Sequence, residues 1–110
     1  MNIITVSHYT QNFFNKVIEP TISKAIIDST VSLKRELNFS YTEEISKVIG
    51  ACADQELLDE VIYVYSELLK NKDLMAMYFN YIYLLIDKYC NDNKINYQII
   101  DDKINFNFSW

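Results

Sequence analysis

Apolar side chains recur from the start of this chain to about residue 91 at three- and four-residue intervals, the spacing of helices with one buried side. The first helical stretch runs from about His8 to Leu37 and contains Pro20. Because proline removes a backbone donor and clashes with the preceding turn, we expect a kink near residues 18–19. Two apolar stripes flank that point: Phe13, Phe14, Val17 and Ile18, then Ile22, Ile26, Leu33 and Leu37.

Two shorter helices are predicted where capping residues precede an apolar repeat. Ser40 and Glu43 have the spacing of a capping box. The helix after them is expected to bury Ile45, Val48, Ile49 and Cys52. Asp54 is placed to cap the next helix, which extends to about Asn71. The apolar positions of that helix have one-sided spacing: Leu57, Leu58, Val61, Ile62, Tyr65, Leu68 and Leu69.

The most apolar segment of the chain is residues 74–86, interrupted by Asn80. A membrane-spanning helix needs about 20 apolar residues, so this shorter segment is interpreted as part of a buried helix. Asp73 is placed to cap that helix, which extends to about Asn91. Since its side chains are apolar in nearly every direction, we expect it to be the central helix of the fold.

The end of the chain changes to strict alternation of apolar and polar residues, which predicts a β-hairpin. A turn at Asp101 and Asp102 pairs residue 99 with 104, 97 with 106 and 95 with 108, and each pair is apolar on both strands. A hairpin alone is marginally stable, so its aromatic face is expected to dock on the helices. A third strand from residues 2–6 is left open.

Composition agrees with a folded domain, because half of the 110 residues are hydrophobic. We therefore predict one mainly α domain, residues 1–110. Its body, about 8–91, is a small bundle of four to five helices, and a C-terminal β-hairpin, about 94–110, packs against it.

Few residues are available for catalysis. The chain has one histidine, His8, and one glycine, Gly50, which is too few for a phosphate-binding loop. Cys52 and Cys90 stand far apart without a CxxC motif, so zinc ligation is not expected and both thiols are expected to be reduced. The paired carboxylates are explained by caps, solvated helix faces and a turn. We therefore predict no catalytic residues, no cofactor and no metal, and a protein that is not an enzyme.

The sequence shows no positively charged leader and no membrane-spanning segment, so a cytoplasmic protein is expected. Its bias towards Ile, Asn, Lys and Tyr is typical of AT-rich genes in bacteria and mobile elements. The net charge of −5 argues against direct binding of nucleic acid, which needs cations to displace counterions.

Negative charge is concentrated in one segment. Between Glu43 and Leu69 there are seven acids and one base, Lys47. On the predicted 54–71 helix, four acids spread over about 100° of the outer surface around a tyrosine. Like charges at this spacing destabilise a helix by about 0.2–0.5 kcal/mol per pair. We therefore expect either another interaction that offsets this repulsion or a function that the charges serve. We call these five residues the acidic face: Glu56, Asp59, Glu60, Tyr63 and Glu67.

Two interpretations of the acidic face are open. It is either a solvated surface that keeps the protein in solution, or a docking surface for a basic partner, in which the tyrosine serves as an anchor. In general character the chain resembles small acidic inhibitors and immunity proteins that neutralise a toxin, especially a basic nuclease. Such a protein would act by occlusion, with fast steered association.

Two other classes are open as well: a small acidic secretion chaperone, and a phage- or virus-encoded inhibitor of a host defence protein. The chaperone would hold an unfolded segment on apolar surface as a dimer. The sequence leaves open whether the chain is a monomer or a homodimer. It also leaves open whether the hairpin edge, which can accept a strand, is the main interface.

Overall fold

The computed structural model describes residues 1–100 and 104–110. Four helices, counted over those residues, pack with a three-stranded antiparallel sheet, which confirms the mainly α fold with its C-terminal hairpin. The first helix is long and contains an irregular segment. It consists of α1 (Ile3–Phe13), a π-helical segment (Phe14–Ile18) and α2 (Glu19–Val31), so the predicted irregularity lies directly before Pro20.

The predicted ends of this first helix were wrong. It begins at Ile3 instead of His8, because the Asn2 side chain accepts a hydrogen bond from the Thr5 amide at 2.9 Å and caps the first turn. Residues 2–6 are therefore not a strand. At the other end the helix stops at Val31, and Leu33 has a φ of 63°, the left-handed conformation that ends helices.

The third strand comes instead from the segment after Leu33. Strands β1 (Glu36–Ser40), β2 (Asn96–Ile99) and β3 (Asn105–Ser109) form an antiparallel sheet with β3 in the middle. In the hairpin, Tyr97 pairs with Phe108 and Ile99 with Phe106. The observed register is shifted by two residues from the predicted one. Because side chains alternate with period two, this shift leaves the same residues on the inner face. The predicted turn at residues 101–102 lies outside the described residues.

Three helices follow the first one: α3 (Tyr41–Gly50), α4 (Gln55–Leu69) and α5 (Lys72–Asp92). Asp54 caps α4 as predicted, since its carboxylate accepts from the Leu57 amide at 3.2 Å. Ser40 precedes α3 without a capping bond from its side chain. The cap of α5 is Asn71 instead of Asp73, because the Asn71 side-chain oxygen accepts from two first-turn amides at 3.1 and 3.2 Å.

Helix α5 lies between α1 and the sheet and provides much of the core. Its buried residues follow at four-residue intervals: Leu74, Tyr78, Ile82, Ile86 and Cys90. Across from them the sheet contributes three buried rings, and Phe106 stacks on Phe108 with centroids 5.7 Å apart. The core of α3 is smaller than predicted: Ile45 is buried, whereas Val48 is exposed.

None of the helices in the described part of the chain combines the length and the apolar composition that crossing a membrane requires.

The central role of α5 can be tested by replacing isoleucine with alanine at a buried site on α5 and at an exposed site on α4. We expect Ile82→Ala, at a side chain with no exposed surface, to lower the free energy of unfolding by about 2–5 kcal/mol, because it leaves a cavity in the core. Ile62→Ala, at an exposed side chain on α4, should change it by less than about 0.5 kcal/mol. Urea unfolding followed by circular dichroism measures both, and equal losses would contradict this core.

Candidate functional site

Helix α4 faces the body of the molecule with a narrow set of side chains. Its most covered residues lie within about 60° of its circumference: Leu57, Val61, Val64 and Leu68. The rest of its surface is open on both sides of this stripe. One side carries the acidic face and the other carries apolar side chains.

The structure places the predicted acidic face together on the surface of α4. Tyr63 is 60% exposed, and Glu56, Asp59 and Glu60 are exposed as well. Glu67 is partly covered, and its carboxylate forms an ion pair with Lys70 at 3.3 Å. The Asp59 carboxylate accepts a hydrogen bond from the Gln55 side-chain amide at 2.7 Å. Apart from Glu67, none of the acids of this face pairs with a described lysine or arginine, so most of their charge is available to a partner.

A second exposed surface on α4 was missed from the sequence. Ile62 is 67% exposed, Tyr65 49% and Leu69 64%, although all three were assigned to the inner side of the helix. We call these three residues the apolar strip. The apolar residues of α4 span about 160° of its circumference, more than the stripe of about 100° that one packing contact covers. This excess width, which can be read from the sequence, was the signal that part of the apolar surface of α4 would stay exposed.

A groove separates α3 from α4. It has a volume of about 480 Å³ and a mainly apolar lining. Its α4 wall includes Tyr65, so the groove is continuous with the apolar strip. The lining residues come from four helices: Tyr9, Phe13, Tyr41, Thr42, Ile45, Ser46, Ile49, Gly50, Val61, Val64, Tyr65, Leu68, Tyr78 and Phe79. The sequence did not indicate this groove, because it depends on the distance between two helices that do not pack on each other.

Three of the four tyrosines that line the groove are buried: Tyr9, Tyr41 and Tyr78. The hydroxyls of Tyr41 and Tyr78 lie 3.5 Å apart, and the Tyr9 ring stacks on that of Tyr78 with centroids at 6.2 Å. Burial raises the pKa of Tyr41 to about 12 and raises the pKa values of Tyr9 and Tyr78 as well. Electrostatic interactions with Tyr78 and with Glu60 raise the pKa of Tyr9 further. The hydroxyls therefore stay neutral even near pH 10, where an exposed tyrosine ionises, and act as hydrogen-bonding groups without charge.

Cys52, Cys90 and Tyr97 lie outside the lining of the groove. Both cysteines are free, and burial raises the pKa of the Cys90 thiol to about 11, which makes it a poor nucleophile. Tyr97 donates a hydrogen bond of 2.6 Å to the carboxylate of Asp87, and this bond raises the pKa of Tyr97 to about 12. In the part of the chain that the structure describes, no group of three or more His, Cys, Asp or Glu side chains is arranged to hold a metal ion.

Comparison of this chain with protein-family models, with curated proteins and with solved structures found no match.

The burial of the groove tyrosines predicts a loss of stability in alkali. Because the pKa of folded Tyr41 is about 12 and that of an unfolded tyrosine about 10, stability is complete below pH 10 and falls as the pH rises towards 12. The free energy of unfolding, measured in urea at pH 9 and pH 11, should therefore fall in the wild type and fall less in Tyr41→Phe. Tyr63→Phe, at the surface, is the matched control, and its free energy of unfolding should fall as much as that of the wild type. An equal fall in all three proteins would show that Tyr41 ionises normally.

Proposed function

We propose that this protein is a non-enzymatic binding protein that neutralises a basic protein by covering its cationic surface, in the manner of toxin-immunity proteins and nuclease inhibitors. The observation that carries the proposal is the acidic face of α4. Its acids, except Glu67, make no ion pair with a described base, and they surround a tyrosine that is 60% exposed.

The mechanism is occlusion by a preformed surface. A set of unpaired carboxylates on one rigid helix attracts a cationic surface over a distance of about one Debye length and orients it before contact. Tyr63 then contributes buried area at low entropic cost, as tyrosines do in many interfaces. A nuclease held in this way cannot bind the phosphate backbone, because the same cationic groups are already occupied.

The surroundings of the acidic face favour docking over simple solvation. A face that serves only to keep a protein in solution gains nothing from large apolar side chains, yet Tyr63 lies within it and the apolar strip lies on the same helix. Exposed apolar groups beside charged ones are typical of binding surfaces. Both free thiols fit a reducing compartment, and we place the protein in the cytoplasm of the cell that makes it.

The apolar strip also favours a second candidate, a small secretion chaperone. Such a protein would hold an unfolded segment on exposed apolar surface and would be a dimer. Size-exclusion chromatography of the protein alone separates the two candidates, because a monomer would count against the chaperone. A phage-encoded inhibitor of a host defence protein would use the same docking physics as the immunity protein.

Charge reversal tests the proposal. We expect the double variant Glu60→Lys, Glu67→Lys to bind its partner at least about tenfold more weakly than the wild type and to lose most of the salt dependence of binding. The partner is first captured from the source cell on immobilised wild-type protein, and its affinity for each variant is then measured by calorimetry at two salt concentrations.

The matched control is the double variant Asp28→Lys, Asp92→Lys, which changes the net charge equally at exposed sites outside α4. It should bind as the wild type does. Equal weakening by both double variants would show that only the overall charge matters. A captured protein that is acidic, or one whose activity the wild type leaves intact, would contradict the proposed neutralisation.

A further inference from the structure

The groove between α3 and α4 has the dimensions of a small-molecule site. Its volume of about 480 Å³ lies within the range of roughly 300–1,000 Å³ that is typical of such sites. Aromatic side chains dominate its lining, and their rings offer flat surfaces against which another ring can pack: Tyr9, Phe13, Tyr41, Tyr65, Tyr78 and Phe79. The groove therefore suits a compact, mainly aromatic occupant.

The floor of the groove is held in place by the core. Tyr9, Tyr41 and Tyr78 are buried residues, and so is Leu68, although all four belong to the lining. The Tyr9 ring stacks on that of Phe13 with centroids 5.7 Å apart and 12° between the ring planes. Because these side chains are already ordered by packing, an occupant that contacts them pays little of the entropic cost of ordering a site.

The lining of the groove carries no charge. Among the described residues that form it there is no Asp, Glu, Lys, Arg or His, and its polar side chains are hydroxyl groups. A carboxylate or an ammonium group on the floor of this groove would lose its water without gaining a counter-ion, which is strongly unfavourable. The groove therefore favours an uncharged occupant over a fatty acid or a charged peptide.

The tyrosines of the lining have hydrogen-bonding capacity to spare. Tyr9 is only 8% exposed, and its hydroxyl forms no hydrogen bond with another described residue. Since no buried side-chain oxygen in the described part of the chain lacks a partner, this hydroxyl retains accessible surface. Tyr41 and Tyr78 share one donor across 3.5 Å, so at least two of the three hydroxyl donors are unused. An occupant with an acceptor oxygen is favoured.

We propose that the groove between α3 and α4 binds a small, uncharged aromatic molecule that carries an acceptor oxygen, of the class of phenols and aryl ketones. The ring system of the ligand packs on the aromatic lining. Its oxygen accepts a hydrogen bond from Tyr9, and the Tyr41–Tyr78 pair offers a second donor. None of the residues of the acidic face belongs to this lining, so the inference is independent of the proposed function and the two can fail separately.

N-phenyl-1-naphthylamine serves as the probe, because it is uncharged and aromatic and its fluorescence rises in apolar surroundings. We expect saturable binding of one molecule per chain. Unlabelled 2-naphthol should displace the probe at a concentration at least about tenfold lower than 2-naphthoate, which has the same rings and a carboxylate that finds no counter-ion in the groove. Equal displacement by the two compounds would overturn the assignment of an uncharged ligand.

The variant Tyr9→Phe tests the hydrogen bond, since it removes a hydroxyl that has no partner within the described part of the chain. It should bind 2-naphthol about threefold to tenfold more weakly than the wild type, as the loss of one hydrogen bond predicts. It should bind 2-methylnaphthalene, which has nearly the same shape without the oxygen, as the wild type does. Tyr63→Phe, outside the lining, is the matched control and should leave both affinities unchanged. Equal affinity of Tyr9→Phe and the wild type for 2-naphthol would contradict the proposed contact.

Two tryptophan variants test the place of binding. Ser46→Trp fills the groove from an exposed position on α3 and should weaken binding of the probe by about tenfold or more. Ser66→Trp puts the same ring on an exposed part of α4 outside the lining and should leave binding unchanged. Gly50→Phe repeats the test should Ser46→Trp fail to fold by circular dichroism, because a Cβ atom at Gly50 meets no other atom within 4 Å.

Two results would overturn the groove as the ligand site. One is equal binding of the probe by Ser46→Trp, Ser66→Trp and the wild type, which would place the probe elsewhere on the surface. The other is a wild-type dimer that Ser46→Trp converts to a monomer in size-exclusion chromatography, which would show that a second copy of this chain fills the groove.

Discussion

The narrow contact between α4 and the rest of the molecule determines the surface of this protein. Helix α4 begins at the Asp54 cap and ends two residues before the Asn71–α5 junction, at a short connection to the next helix. Between these ends only about one sixth of its circumference faces the core. The acidic face, the apolar strip and the groove next to α3 all follow from this limited contact, because a helix packed more deeply would have covered all three.

The two exposed sides of α4 have different physical roles. Complementary charge speeds association and fixes orientation, but it contributes little net affinity once both partners are desolvated. Apolar burial contributes about 1.5–3 kcal/mol for each large side chain that is fully covered. Ile62 and Leu69 each have more than 60% of their surface available for such burial. An acidic face alone would give a fast but short-lived complex, and the neighbouring apolar surface supplies what a long-lived complex needs.

Local patterns in the sequence predicted which segments form helices and strands better than they predicted which of these elements pair or pack together. The cap at Asp54, the aromatic alternation at the C-terminus and the acidic face follow from the spacing of neighbouring residues. The first two residues of β1 were assigned to the first helix because Leu33 and Leu37 have helical spacing, although Leu37 and Phe39 also alternate with polar residues. Its pairing with β3 joins Asn38 to Asn107, a contact that no local pattern specifies. The two-residue error in the hairpin register has the same origin, because alternation cannot distinguish registers that keep the same face inward. The groove could not be predicted, because it depends on the distance between α3 and α4, which no pattern of neighbouring residues specifies.

The tyrosines in the groove add selectivity to this apolar surface. An aliphatic groove accepts any apolar side chain of suitable size, whereas a hydroxyl covered by an occupant costs free energy unless it finds a hydrogen-bonding partner. Tyr41 and Tyr78 partly satisfy each other across 3.5 Å, a long separation for hydroxyl groups. Both hydroxyls are neutral at physiological pH, as an exposed tyrosine also is, and burial raises both pKa values further. In the proposed complex, an occupant that places a polar atom against this pair would be preferred to one that is merely apolar, and that preference would distinguish a specific partner from general hydrophobic adhesion.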